Sequence, residues 1–303
     1  MGTTLKRYCS GWVCTVKSVA IIGPNGQLGT DLIKVFRDAE WNIIPVQHTD
    51  ICVEDFESVD SFFSTMKTDW IINTAAFHKV DECENNPEIA WKINAAGQAN
   101  VAKTARRIGA KAVFISSDYV FSGNLDLDQS YNAESKVSPV NAYGHSKAAG
   151  ELATMSADDK NLVVRISSVF GSAGSSGKGG NFVETILNKA KSGDPLTVVD
   201  DIQMSPTYTL DAARLILHAV QNDMNGIFHG NNSGFTSWYA FAREILELCR
   251  ISAEMTPSQT NWDAPLKRPR NSALLPGNPQ LRNFLIPSWQ DALSRYLKEK
   301  GHI

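Results

Sequence analysis

The chain has no CxxC pair, no apolar run approaching the roughly 18 residues of a membrane-spanning helix, and no large excess of charge. Its five cysteines, Cys9, Cys14, Cys52, Cys83 and Cys249, are odd in number and scattered. That pattern argues against a disulfide framework and against a four-thiolate zinc site, and no metal ligands are assigned. A formal net charge of -3 argues against general affinity for nucleic acid. The first fifteen residues carry Lys6 and Arg7 but place Cys9, Ser10, Gly11 and Cys14 where a signal peptide is continuously apolar. Residues 1–16 therefore read as a loose N-terminal extension of a cytoplasmic protein, with no membrane partner. No internal repeat or low-complexity segment interrupts the rest. What is present is length and greasiness: 303 residues with 43% hydrophobic content allow a large α/β domain with an appended lobe.

Short β-branched runs alternate with helical stretches. Val16–Ile22, Asn42–Val46, Trp70–Asn73, Lys111–Ser116 and Leu162–Ser167 read as strands. Leu28–Ala39, Ala90–Arg107 and Ala142–Met155 have helical spacing between them, as do Phe182–Lys191, Leu210–Gln221, Trp238–Cys249 and Trp289–Lys298 further on. The alternation predicts an α/β fold, a Rossmann-type doubly wound parallel sheet, with a smaller C-terminal α+β substrate lobe. We divide the chain into a dinucleotide-binding domain at 17–170, to which 200–230 returns, and a substrate-binding lobe at 171–199 and 231–303. The glycine-rich stretch 172–180 is either a mobile loop over a pocket or a passive linker.

Two local motifs carry chemistry. GPNGQLG at 23–29 sits between a strand and a helix, the arrangement that holds a pyrophosphate at a helix N-terminus. Gly23 permits the turn, Gly26 the approach of backbone to phosphate, and Gly29 close helix packing. The spacing is GxxGxxG rather than GxGxxG, and an ordinary glycine-rich βα turn looks the same. Downstream, YGHSK at 143–147 puts Tyr143 and Lys147 four residues apart, on one helix face. A lysine ammonium beside a phenol favours the ionised form and is expected to lower the tyrosine pKa. A cradle and a proton donor in one chain point to carbonyl and alcohol redox chemistry.

Eight markers in order carry a family resemblance from about Lys17 to the C-terminus. They are GPNGQLG, INTAAFHKVDECE at 72–84, SSDYVFSG at 116–123, YGHSK, GGNF at 179–182, SPTYTLD at 205–211, SWYAFAREI at 237–245 and KRPRNSAL at 267–274. The chain resembles the extended short-chain dehydrogenase/reductases, and within them the dTDP-4-dehydrorhamnose reductase family. The resemblance implies hydride transfer from NADPH or NADH to a nucleotide-linked 4-keto-6-deoxy sugar. Tyr143 is then the acid, Lys147 its support and contact to the nicotinamide ribose, and Ser117 the donor that holds the reacting oxygen. It also implies that Gly23, Asn25, Gly26, Gln27, Leu28, Gly29, Asp50, Ile51, Asn73, Ala75 and Ala76 meet the cofactor, and that Asp118, Asn181, Gln203, Thr207 and Arg268 meet the substrate.

Read as bare residues, Ser117 is a strand-end serine, Asp118 a turn residue and Ala75 and Ala76 good packers. Asn94 is either a helix-surface residue or part of a proton relay. Lys178, Asn181, Arg268 and Arg270 are candidate diphosphate donors, although Lys267, Arg268 and Arg270 also suit a solvated basic surface. Trp238 and Tyr239 read as core. No acidic residue follows the second strand at Gln47-His48, which favours NADPH over NADH. The resembled reductases commonly have tryptophan in the stretch matching Arg165–Gly171, where this chain has Ser168. Two other functions remain open: a cofactor-binding regulatory subunit similar to the β subunit of methionine adenosyltransferase, and a nucleotide-sugar epimerase or dehydratase. A homodimer is compatible with either reading.

Overall fold

A computed structural model describes residues 7–9, 12–14, 17–174, 180–278, 281 and 284–303, the first two stretches as backbone strands only. Most of the expected extension 1–16, the centre of the 172–180 loop with Lys178, and Gly179 lie outside the described residues. Arg7–Cys9 and Trp12–Cys14 pair antiparallel.

Six parallel strands form the central sheet: β1 (Ser18–Ile22), β2 (Asn42–Val46), β3 (Trp70–Asn73), β4 (Lys111–Ser117), β5 (Leu162–Ile166) and β6 (Gly226–His229). Their order is β6-β5-β4-β3-β1-β2, the doubly wound Rossmann-type arrangement. All of β1 and β3 is buried, because helices cover both faces, and this explains the unbroken apolar runs in the sequence. The sixth strand, GIFH, lacks such a run and was not legible.

The helices are α1 (Gln27–Asp38), α2 (Phe56–Ser64), α3 (Gly97–Ile108), α4 (Ala142–Ala157), α5 (Phe182–Ser192), α6 (Thr209–Gln221), α7 (Trp238–Cys249) and α8 (Trp289–Glu299). The helix expected at Ala90–Arg107 is divided, with a π-helical stretch at Trp91–Ala96 ahead of α3. One apolar core runs from Val19 and Ile21 on β1 through Phe170 to Phe241, Trp289 and Tyr296, so the C-terminal helices share the core of the sheet. No helix among the described residues is long and apolar enough to cross a membrane.

The order changes direction at β1, where β2 lies to one side and β3 to the other. In such sheets a crevice opens at the carboxyl ends of the strands. A cavity of about 1080 Å³ lies there, lined by the loop after β1, the ends of β3 and β4, the start of α4, and residues of α5 and α7.

Candidate active site

The cradle at 23–29 has steric reasons for its glycines. Gly23 has φ +79°, and a Cβ on it would stand 2.6 Å from Thr74 Oγ1. A Cβ on Gly29 would fall 2.1 Å from the Gly23 carbonyl oxygen, so only glycine lets α1 begin this close to the turn. Helix α1 opens at Gly26 without a side-chain cap, leaving first-turn N–H groups for an anion. Gln27 Oε1 is buried beside them with no partner. These features fit a dinucleotide. Asn25, Gln27, Leu28, Ile51, Ala75 and Ala76 line the cavity with the three glycines.

Two other residues named for the cofactor stand elsewhere. Asp50 does not line the cavity; its carboxylate accepts the Gln47 N–H at 2.7 Å and closes the turn after β2. Asn73 is 1% exposed, donates to Gln98 Oε1 at 2.9 Å and accepts the Ala75 N–H at 3.0 Å, so it shapes the loop after β3 from within. Gln47, His48 and Thr49 line the rim after β2, and Glu54, unnoticed in the sequence, joins them.

Helix α4 carries the tyrosine and lysine. Asn141 caps it by accepting the Gly144 N–H at 2.8 Å. A Cβ on Gly144 would lie 2.2 Å from the Tyr119 carbonyl oxygen, and one on Gly150 would lie 2.5 Å from the Phe114 ring. These glycines let α4 lie against the end of β4, and so bring Tyr143 and Lys147 to Ser117. All three line the cavity.

The electrostatics correct the expected lowering of the Tyr143 pKa. Burial pushes the phenol well above its ordinary value, with a smaller opposing pull from the Ser117 hydroxyl. Lys147 is 2% exposed and its pKa is lowered to about 7 by burial, against the opposing charge of Glu151. Its ammonium stands 4.1 Å from the centroid of the Phe114 ring. Glu151 is occupied elsewhere, accepting from Ser116 Oγ at 2.6 Å and from Arg165 Nε and Nη2 at 2.8 Å each. For both groups, desolvation by the surrounding protein outweighs the attraction that i,i+4 spacing suggests. A protonated Tyr143 is the form that can act as an acid.

Asp118 also lines the cavity. Its Oδ1 accepts from Ser117 Oγ at 2.9 Å, and its Oδ2 from Ser167 Oγ at 2.8 Å and Ser272 Oγ at 2.6 Å. Burial raises its pKa, and the three serines pull the other way.

The remaining substrate candidates are not brought together. Asn181 lines the cavity, but its amide donates to the Gly171 carbonyl at 3.1 Å and Tyr296 Oη at 3.0 Å while its oxygen caps α5. Thr207 is wholly buried and donates to the Ser205 carbonyl at 3.2 Å. Gln203 pairs with Ser237 and, with Thr207 and Arg268, is absent from the cavity wall. Arg268 donates to Asp81 at 2.9 Å on the surface. Asn94 is fully buried rather than on the helix surface, and its side chain bonds both backbone groups of Phe77 and Ser146 Oγ. Trp238, read as core, lines the cavity with Phe182 and Phe241, and Ser168 faces the same space at φ +45°. The aromatic spacing in SWYAF was the available signal for that wall.

A family model described as RmlD substrate binding domain matches residues 17–301. Spore coat polysaccharide biosynthesis protein SpsK of Bacillus subtilis (strain 168) is 34% identical over 284 residues, covering 93% of this chain and 98% of that one. The dTDP-4-dehydrorhamnose reductase of Escherichia coli (strain K12) is 33% identical, covering 93% and 97%. A crystal structure of dTDP-4-dehydrorhamnose reductase from Bacillus anthracis in complex with NADP superposes with a TM-score of 0.86 at 33% identity, covering 94% and 99%. The match over nearly the whole chain, joined to the cradle and the tyrosine–lysine helix, places this chain in the RmlD substrate binding domain family.

Proposed function

We propose that this protein reduces the 4-keto group of a dTDP-linked 4-keto-6-deoxy sugar, dTDP-4-dehydrorhamnose first among them, with NADPH as the preferred reductant. The observation that carries this reading is the convergence of Ser117, Tyr143 and Lys147 on one cavity whose other wall is the glycine cradle. The relatives' names support the same chemistry. Gly23, Gly26, Gly29 and the start of α1 would hold the dinucleotide, which supplies a hydride when bound.

The chain's own residues do the rest. Tyr143, held protonated by burial, gives its proton to the oxygen of the carbonyl under reduction. Ser117 donates a hydrogen bond to that oxygen as negative charge gathers on it. Lys147, once charged, stabilises the phenolate left behind. The apolar wall of Phe182, Trp238 and Phe241 helps exclude water. Ser168 in place of a large aromatic leaves the sugar less tightly walled, so sugar identity is a separate question from reaction class. Cytoplasmic location and a homodimer belong to the same proposal.

The test is oxidation of NADPH and NADH by purified protein with enzymatically generated dTDP-4-keto-6-deoxy sugar, followed by mass spectrometry. The expected product is heavier by two hydrogens, and Tyr143→Phe should abolish its formation. Cofactor binding without substrate-dependent oxidation would instead support a regulatory subunit. Tightly held NAD with no net consumption would support an epimerase or dehydratase.

A further inference from the structure

We propose that Asp118 is a positioning residue that works in its un-ionised form, donating its proton to Ser117 Oγ and so freeing the Ser117 hydroxyl hydrogen for the carbonyl oxygen of the substrate. The inference rests on the reductase reading above and concerns which hydrogen bonds its serine can make.

The argument is a count of hydrogens. A serine hydroxyl has one hydrogen to give and two lone pairs to receive with. Ser117 Oγ receives the Tyr119 N–H at 3.2 Å, lies 2.9 Å from Asp118 Oδ1 and also hydrogen-bonds the Tyr143 phenol in the free protein. If Asp118 is a carboxylate, the contact can be made only with the hydrogen of Ser117. Ser117 then faces the substrate with a lone pair, and a ketone oxygen has no hydrogen to offer it. If Asp118 carries a proton on Oδ1, the bond reverses and the second lone pair of Ser117 is satisfied. The serine hydrogen is then available to the ketone.

The surroundings determine which oxygen carries the proton and favour its presence. Oδ2 has two serine hydroxyls beside it, at 2.8 and 2.6 Å, whose other acceptors, Ser168 Oγ at 3.5 Å and the Gln203 carbonyl at 3.4 Å, are farther away, so the proposal places the proton on Oδ1. The carboxyl is 4% exposed, and none of its hydrogen bonds among the described residues comes from a lysine, arginine or histidine. The titratable and charged groups around it are Tyr119 beside it in the chain, Tyr143 and Lys147 on α4, and Arg268 with its partner Asp81 beyond Tyr119. Behind the β4 end, Arg165 and Glu151 neutralise one another. Burial without a directly bonded cation disfavours the anion. The proton stays on Asp118 through turnover: the hydride goes to the carbonyl carbon, the proton added to oxygen comes from Tyr143, and Asp118 is neither consumed nor regenerated.

Asp118→Ala and Asp118→Asn separate this role from simple packing. Asparagine can donate to Ser117 through Nδ2 and accept from Ser167 and Ser272 through Oδ1, so it imitates the acid and cannot ionise. Alanine is expected to lower kcat by roughly 100-fold, in the range found for removing one oxyanion donor. Asparagine should recover at least about tenfold of that loss and remove one ionisation from the alkaline side of the kcat profile. In a Ser117→Ala background, Asp118→Ala should have little further effect, because both changes remove one interaction. Infrared spectra of the ligand-free protein should contain an un-ionised carboxyl band that disappears in Asp118→Asn. Asparagine no more active than alanine in a folded, NADPH-binding variant would overturn the proposal, as would absence of the infrared band. A wild-type protein that shows the band but oxidises no cofactor would instead overturn the reductase reading.

Discussion

Replacing Lys147 by methionine should make the ligand-free protein more stable while abolishing its activity. The side chain is 2% exposed, and among the described residues it has no hydrogen-bond or ion-pair partner beyond its contact with the Phe114 ring. Glu151 is already held by Arg165 and Ser116. The fold lowers the lysine pKa from 10.5 to about 7. At about 1.4 kcal/mol per pH unit this gap corresponds to roughly 5 kcal/mol, an upper bound on the penalty of holding the ammonium in the fold. Its pH dependence follows from linkage. Below about pH 7 the lysine is charged in both folded and unfolded chains, and the penalty is complete. Between about 7 and 10.5 only the unfolded chain holds the proton, so stability rises with pH and the penalty fades. Methionine keeps the length of the side chain and removes the charge. Urea unfolding near pH 6 should show the variant more stable by about 2–5 kcal/mol, with the difference shrinking by about pH 9. A variant less stable than wild type near pH 6, or a difference indifferent to pH, would refute the reasoning.

Binding of NADPH near pH 8 should draw in up to about one proton per site, since the free protein holds Lys147 mostly neutral there and an anionic ligand favours its charged form. Calorimetry in two buffers of different ionisation enthalpy measures this, and no uptake would count against the assigned lysine. Gly29→Ala should remove NADPH binding and lower stability by about 1–3 kcal/mol, because the added carbon meets the Gly23 carbonyl. A titration of cofactor fluorescence together with a urea midpoint reads both effects. Arg165→Met should destabilise by about 3–5 kcal/mol by leaving the buried Glu151 carboxylate without its cation, as judged by the same unfolding measurement.

The sequence by itself determined the elements whose cause is local. β-branched runs between helical stretches specified five of the six sheet strands; four of them are covered on both faces and so are largely apolar, while β2 at the sheet edge is mostly exposed or half-buried. GxxGxxG between a strand and a helix, and a tyrosine and lysine one helical turn apart, are spacings that the backbone converts directly into a cradle and a shared face. Only the tertiary structure decided what surrounds those groups. Asp118 meets Ser167 and Ser272, 49 and 154 residues away, and no local pattern encodes that meeting. Asn181 and Thr207 are taken up by caps and backbone, and Arg268 by Asp81, once distant segments dock. Spacing suggested that Lys147 would ease ionisation of Tyr143, yet burial drives both groups toward their neutral forms. Desolvation depends on every segment that excludes water from a site, which is why the positions of these residues were legible in the chain and their protonation was not.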